Sequence, residues 1–129
     1  MSGEFLLDTN AVIALLDGEM ALRELVADSP RLLLSIVVLG ELYHGAQNSR
    51  LYDDNITRIE NLILTSTLLY CDKGTAWEYG IIKKYLRSTG RPLPENDIWL
   101  AALARQYDLV LMTRDKHFQE IERLNVSSW

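Results

Sequence analysis

The chain is poor in cysteine and histidine and carries no excess of positive charge. Its one cysteine, Cys71, cannot form an internal disulfide. That suits a reducing compartment, and a cytoplasmic location is expected. Two histidines and one cysteine give no cluster at zinc-ligand spacing, which argues against a zinc site. No apolar run approaches the roughly 20 residues of a membrane span, so no membrane association is expected. No basic segment precedes an apolar run at the N-terminus, so no signal peptide is expected. The formal net charge is −5, whereas a nucleic-acid binder usually carries a basic excess.

What is present describes an ordinary globular chain. Its 129 residues suit one domain with one core, and we expect a single domain over 1–129. Apolar residues make up 48% and charged residues 24%, which leaves little room for disorder. Short apolar runs at 4–7, 32–35, 68–71 and 109–112 read as strands, with 126–128 as an edge strand. Between them, helical periodicity marks 9–17, 19–28, 37–48, 51–64, 75–88 and 96–107, with a short helix at 116–123. On the first of these, Val12, Ile13, Leu15 and Leu16 form a broad apolar face. On 75–88, Ala76, Tyr79, Ile82, Tyr85 and Leu86 read as inward. The segment 89–94 (TGRPLP) is a loop by composition. Strands alternating with helices predict an α/β fold, a three-layer α/β/α sandwich around a parallel sheet of four to five strands.

Ligands of such sheets bind beyond the carboxyl ends of the strands. Asp8 follows the first strand, and Asp115 follows the fourth. Asp97 opens the helix that returns to the fourth strand, so it lies at the same edge. Glu41 sits about one turn into the helix after the second strand. Asp8, Asp97 and Asp115, taken singly, are more simply read as helix N-caps. Glu41 lies inside a helix, where no cap reading applies, and its alternative is a partly exposed helix face. Caps alone do not explain four acids at one edge. Clustered carboxylates repel one another, and a hard divalent cation removes that repulsion. Such oxygen-rich sites activate water and stabilise charge on a phosphodiester, so phosphodiester hydrolysis is the expected chemistry. Two Mg²⁺ ions would also offset four of the five excess negative charges.

Three sequence blocks then come into view in order: LLDTN at 6–10, SIVVLGELYHGA at 35–46 and NDIWLAALARQYDLVLMTRD at 96–115. Together they resemble the PIN-domain family, and within it the VapC-type toxins, over nearly the whole chain. The resemblance implies an endoribonuclease that uses Mg²⁺ or Mn²⁺. It gives Asp8, Glu41, Asp97 and Asp115 as the family's four acids, the last of them at a position that varies. It gives Thr113 as the hydroxyl residue that supports the site, with Thr9 and Asn10 completing the first block. It further implies a homodimer paired with a small antitoxin, whose basic side chain reaches the acids.

Arg114 and Lys116 flank Asp115, and Arg87 and Arg91 border the loop before Asp97. All four are candidate RNA contacts, with a solvated surface as the alternative. His44 and His117 read as surface histidines, Trp77 and Trp99 as core or dimer contacts, and Trp129 as uninformative. Other functions fit less well. A signalling receiver would use Asp72 as phosphoacceptor, with Thr113 and Lys116 nearby, but it needs a second acid beside Asp8. A haloacid-dehalogenase-type phosphatase needs Asp at position 10, where Asn10 stands. A PIN-like scaffold that binds RNA or a partner without cutting is the remaining alternative.

Overall fold

The computed structural model describes residues 4–129. Residues 1–3, which the single-domain expectation includes, lie outside the described residues. Five strands form one all-parallel sheet: β1 (Phe5–Leu7), β2 (Leu32–Ser35), β3 (Ser66–Leu69), β4 (Val110–Met112) and β5 (Asn125–Ser127), in the order β3-β2-β1-β4-β5. Among the described residues six helices flank it: α1 (Thr9–Leu16), α2 (Met20–Ala27), α3 (Ile36–Gln47), α4 (Tyr52–Leu64), α5 (Lys73–Ser88) and α6 (Glu95–Gln106). This is the expected α/β/α class. None of the described helices is long and apolar enough to cross a membrane.

The central strands are the apolar ones because both of their faces are covered. Leu6, Leu7, Leu33, Leu34, Leu111 and Met112 are all essentially inaccessible. Pairing of Leu7 with Met112 puts the carboxyl ends of β1 and β4 side by side. A further bond from the Asp8 amide to the Met112 carbonyl (3.2 Å) carries that pairing one residue beyond β1. The two segments that carry Asp8 and Asp115 therefore leave the sheet together.

Four expectations need correction. The third strand lies two residues earlier than its apolar run suggested, with Leu32 opposite Ser66 and Ser35 opposite Leu69. At the edge of the sheet β3 is only half buried, so apolar content does not mark it. Tyr70 is exposed, and a capping box between Asp72 and Thr75 starts α5 at Lys73. Trp77 is 72% exposed, which removes it from the core, while Trp99 stacks on Tyr79 with ring centroids 4.1 Å apart. Ile13 and Ala76 face solvent rather than the core. The predicted helix at 116–123 is a 3-10 turn, Lys116–Glu120.

One ion pair fastens the helix layer that carries Asp97. Arg105 on α6, its side chain only 5% exposed, bonds Glu78 on α5 at 2.9 Å and donates to the Glu122 carbonyl at 3.3 Å. Arg105→Ala would leave Glu78 partly buried without its cation. A loss of about 2–3 kcal/mol is expected in urea unfolding, less than for a fully buried pair because Glu78 keeps some contact with water.

Candidate active site

Each of the four acids is placed by a local feature of its own segment. Asp8 is the N-cap of α1: its Oδ1 accepts from the Ala11 amide at 2.8 Å. The second oxygen, Oδ2, accepts from the Thr113 hydroxyl at 2.5 Å. Thr113, itself buried, accepts in turn from the Asp115 amide at 3.0 Å. One hydroxyl thus ties the first acid to the backbone of the fourth. Asp115 caps the 3-10 turn, accepting from the His117 amide at 2.9 Å and contacting the His117 ring Nδ1 at 2.8 Å. Glu41, on α3, accepts from the Thr9 hydroxyl of α1 at 2.9 Å.

Asp97 is the exception to the cap reading. Pro94 occupies the N-cap of α6, and Asp97 lies in the first turn behind it. It is half buried, and its carboxyl is pushed up to about 6. Burial is the main cause, and the charges of Glu41, Asp115 and Asp8 add to it in that order, while His117 opposes. Asp8 is also raised, by burial first. The bonds from Thr113 and Ala11 pull it back down, and the charges of Asp115 and Glu41 push it up again. The four acids therefore lie within one another's electrostatic reach, although they come from four separate segments.

Among the described residues no three His, Cys, Asp or Glu side chains are gathered closely enough to enclose an ion by themselves. The acids are hard oxygen donors, and they influence one another's charge. That composition fits Mg²⁺ or Mn²⁺, which retain several waters and do not require an all-protein cage. The mutual repulsion that raises Asp97 is what a bound divalent cation would cancel.

The supporting residues divide. Thr9 and Thr113 contact the acids directly, while Asn10 is exposed. Among the candidate RNA contacts, Arg87 and Lys116 are exposed, and Arg91 is paired with Glu120. Arg114 is bonded to Glu19 and Trp129. His117 was read only as a surface residue. Its contact with Asp115 was signalled by the Asp-Lys-His spacing, which lets a capping turn fold the ring back onto the cap. Asp72 sits apart from these groups. It is held low, chiefly by the Gln106 side chain, and caps α5. Thr113 is committed to Asp8 instead, which removes the geometry a receiver would need.

Thr113→Val should expose the importance of the shared hydroxyl. It leaves the Asp8 Oδ2 and the Asp115 amide without their partner in a buried place. A stability loss of about 1–2 kcal/mol in urea unfolding is expected, with Thr113→Ser close to the parent protein.

Residues 5–124 match the family model described as PIN domain. The chain belongs to the PIN-domain family. It is 33% identical to Ribonuclease VapC1 of Haemophilus influenzae (strain R2866), over 97% of each chain. It is 30% identical to the tRNA(fMet)-specific endonuclease VapC of Shigella flexneri, over 98% of each. Its fold superposes on that of VapBC-1 from nontypeable Haemophilus influenzae with a TM-score of 0.89, at 33% identity and 97% coverage of both chains. The PIN fold therefore extends over the segments that carry all four acids.

Proposed function

We propose that this PIN-domain chain is a divalent-metal-dependent endoribonuclease and the toxin of a toxin–antitoxin pair. The Thr113 hydroxyl that joins Asp8 to Asp115, in a chain that matches the PIN-domain model over residues 5–124, is the observation that carries the reading. VapBC proteins are toxin–antitoxin systems, and VapC relatives are ribonucleases. A small antitoxin bearing basic side chains is the partner in this reading, and it supplies the positive charge that a chain of net charge −5 lacks. The chain acts in the cytoplasm, as one domain, paired with a copy of itself.

Asp8, Glu41 and Asp97 hold Mg²⁺ or Mn²⁺, with Asp115 completing the set. A divalent ion held there would supply an activated water and offset charge on the scissile phosphate. The protein's own part is positional. Thr113 and the Ala11 amide each hold one oxygen of Asp8, which fixes the orientation of that carboxylate. Thr9 holds the Glu41 carboxylate against α1. Half-burial of Asp97 keeps bulk water from screening the acids. Arg87 and Lys116, both exposed, would be free to meet RNA phosphates, and Arg91 could exchange Glu120 for one.

Chelation tests this reading. Cleavage of a tRNA and ribosomal RNA mixture should stop in EDTA and return when Mg²⁺ or Mn²⁺ is added in excess. Cleavage that is indifferent to EDTA would sink the metal-dependent reading. RNA binding without cleavage under every metal condition would mark the chain as a binding scaffold.

A further inference from the structure

Three side chains from three distant segments close into a ring beside Asp115. Arg114 donates from Nε to the Trp129 main-chain oxygen at 3.0 Å and from Nη2 to Glu19 Oε1 at 2.9 Å. The indole Nε1 of Trp129 donates to that same Glu19 oxygen at 3.0 Å. The guanidinium carbon of Arg114 lies 4.3 Å from the centre of the Trp129 ring, in cation–π contact. Each member touches both of the others.

The surroundings show that the ring is built for this contact. Glu19 occupies the N-cap position of α2, yet its side chain makes no capping bond. Its carboxylate is turned instead to Arg114 and Trp129. Gly18, at φ +80°, makes the turn that delivers it. On the other side, the Thr113 amide donates to the Ser127 carbonyl at 2.9 Å, so β5 already holds the residue before Arg114. Trp129 follows two residues later and grips the next one. Segment 113–115 is thus fixed at Thr113 by β5 and at Arg114 by the ring, and its third residue is Asp115.

We infer that Glu19, Arg114 and Trp129 form a latch that positions segment 113–115, with Trp129 acting as a positioning residue for the Asp115 carboxylate. The inference rests on the reading of the acids proposed above. The latch acts through the backbone. Arg114 fixes where Asp115 leaves β4, and the Asp115 amide meets Thr113, which also holds Asp8. Loosening it should misplace Asp115 relative to the other acids, while the fully buried core, against whose margin Trp129 packs, stays folded. A displacement of about 1 Å at a site of this kind is enough to slow a reaction markedly.

The test uses the full chain and four variants: Trp129→Ala, Trp129→Phe, Glu19→Gln combined with Trp129→Ala, and Asp97→Asn. Amide hydrogen exchange is read in the metal-free protein, and kcat and KM for RNA in Mn²⁺. In Trp129→Ala the amides of Asp115 and His117 should exchange roughly tenfold faster, with those of β1 and α6 unchanged. Its kcat should fall roughly five- to tenfold at nearly constant KM, as expected for one lost hydrogen bond and a cation–π contact, with a small drop in melting temperature from the lost packing of Trp129 against the core. Trp129→Phe keeps a ring under Arg114 and should recover part of both effects. The double variant should be no worse than Trp129→Ala, because breaking the ring twice adds little. Unchanged exchange at 113–117 and unchanged kcat in Trp129→Ala would overturn the latch while leaving the nuclease reading intact. Exchange that speeds up equally at 113–117, β1 and α6 would also overturn it, by making Trp129 a general structural residue. If Asp97→Asn cleaves like the parent, the nuclease reading fails, and the exchange data alone then decide whether the ring clasps the segment.

Discussion

Replacing Asp97 with asparagine is expected to reduce RNA cleavage about a thousandfold and, at the same time, to make the metal-free protein more stable at neutral pH. The two effects share one cause. Asp97 is held half buried among three other acids, so its ionised form is unfavourable in the fold. Its folded-state value, about 6, lies above the ordinary aspartate value of 3.8, so between those limits the folded protein binds the proton more tightly than the unfolded chain does. The stabilising contribution of the protonated acid is complete below about pH 4 and is lost as the pH rises through 6. Asparagine carries no charge and escapes that loss. The full shift corresponds to about 3 kcal/mol, and solvent screening of a half-exposed group reduces this to about 1 kcal/mol at pH 7. Excess Mn²⁺ should reverse the order of stability, because only the parent retains the complete donor set. The expected loss of cleavage is set by the removal of one preorganised charged group from a site that handles developing charge. Urea unfolding with and without Mn²⁺, beside single-turnover cleavage, reads both effects. A variant that loses activity and also loses metal-free stability would contradict the account of Asp97 as a strained acid.

The pH dependence should be equally pronounced. At limiting Mn²⁺, cleavage is expected to rise about tenfold per pH unit below pH 6 and to level off above it, because protons compete with the cation for Asp97. Raising the Mn²⁺ concentration should move the midpoint to lower pH. Asp115→Asn should move it lower as well, since the Asp115 charge is one of the causes that raise Asp97. A profile that is flat from pH 5 to 8, or a midpoint that ignores Mn²⁺, would separate Asp97 from the metal.

The fold was legible because its central strands are buried on both faces and so read as plain apolar runs: residues 5–7, 32–35 and 110–112 fall where the runs fall. The edge strand β3 was misplaced because its ladder pairs Ser66 and Thr67 with Leu32 and Leu33, and a half-buried edge does not need apolar residues. The common edge of Asp8, Glu41, Asp97 and Asp115 followed from strand direction alone, without any knowledge of side-chain contacts. The division of labour within each acid was not legible. Nothing in the sequence shows that Asp8 caps a helix with one oxygen and meets Thr113 with the other, so that cap and site are not alternatives. Asp97, read singly as a cap, leaves that position to Pro94. The contacts that escaped entirely, those of Glu19 with Arg114 and with Trp129, join residues 95 and 110 positions apart. No local pattern reports such pairs, because a glutamate before a helix and a tryptophan after a strand each have an ordinary local explanation.

The most direct measurement is single-turnover cleavage of a tRNA pool in Mn²⁺ by the parent protein and by Asp8→Asn, purified side by side. Asparagine keeps an oxygen to accept from the Ala11 amide, so the cap of α1 and the fold survive while the charge is lost. The account requires rapid cleavage by the parent and a rate at least a hundredfold lower in the variant, of the order found when a preorganised charge-stabilising group is removed. Equal rates would show that the acidic edge is not where RNA is cut.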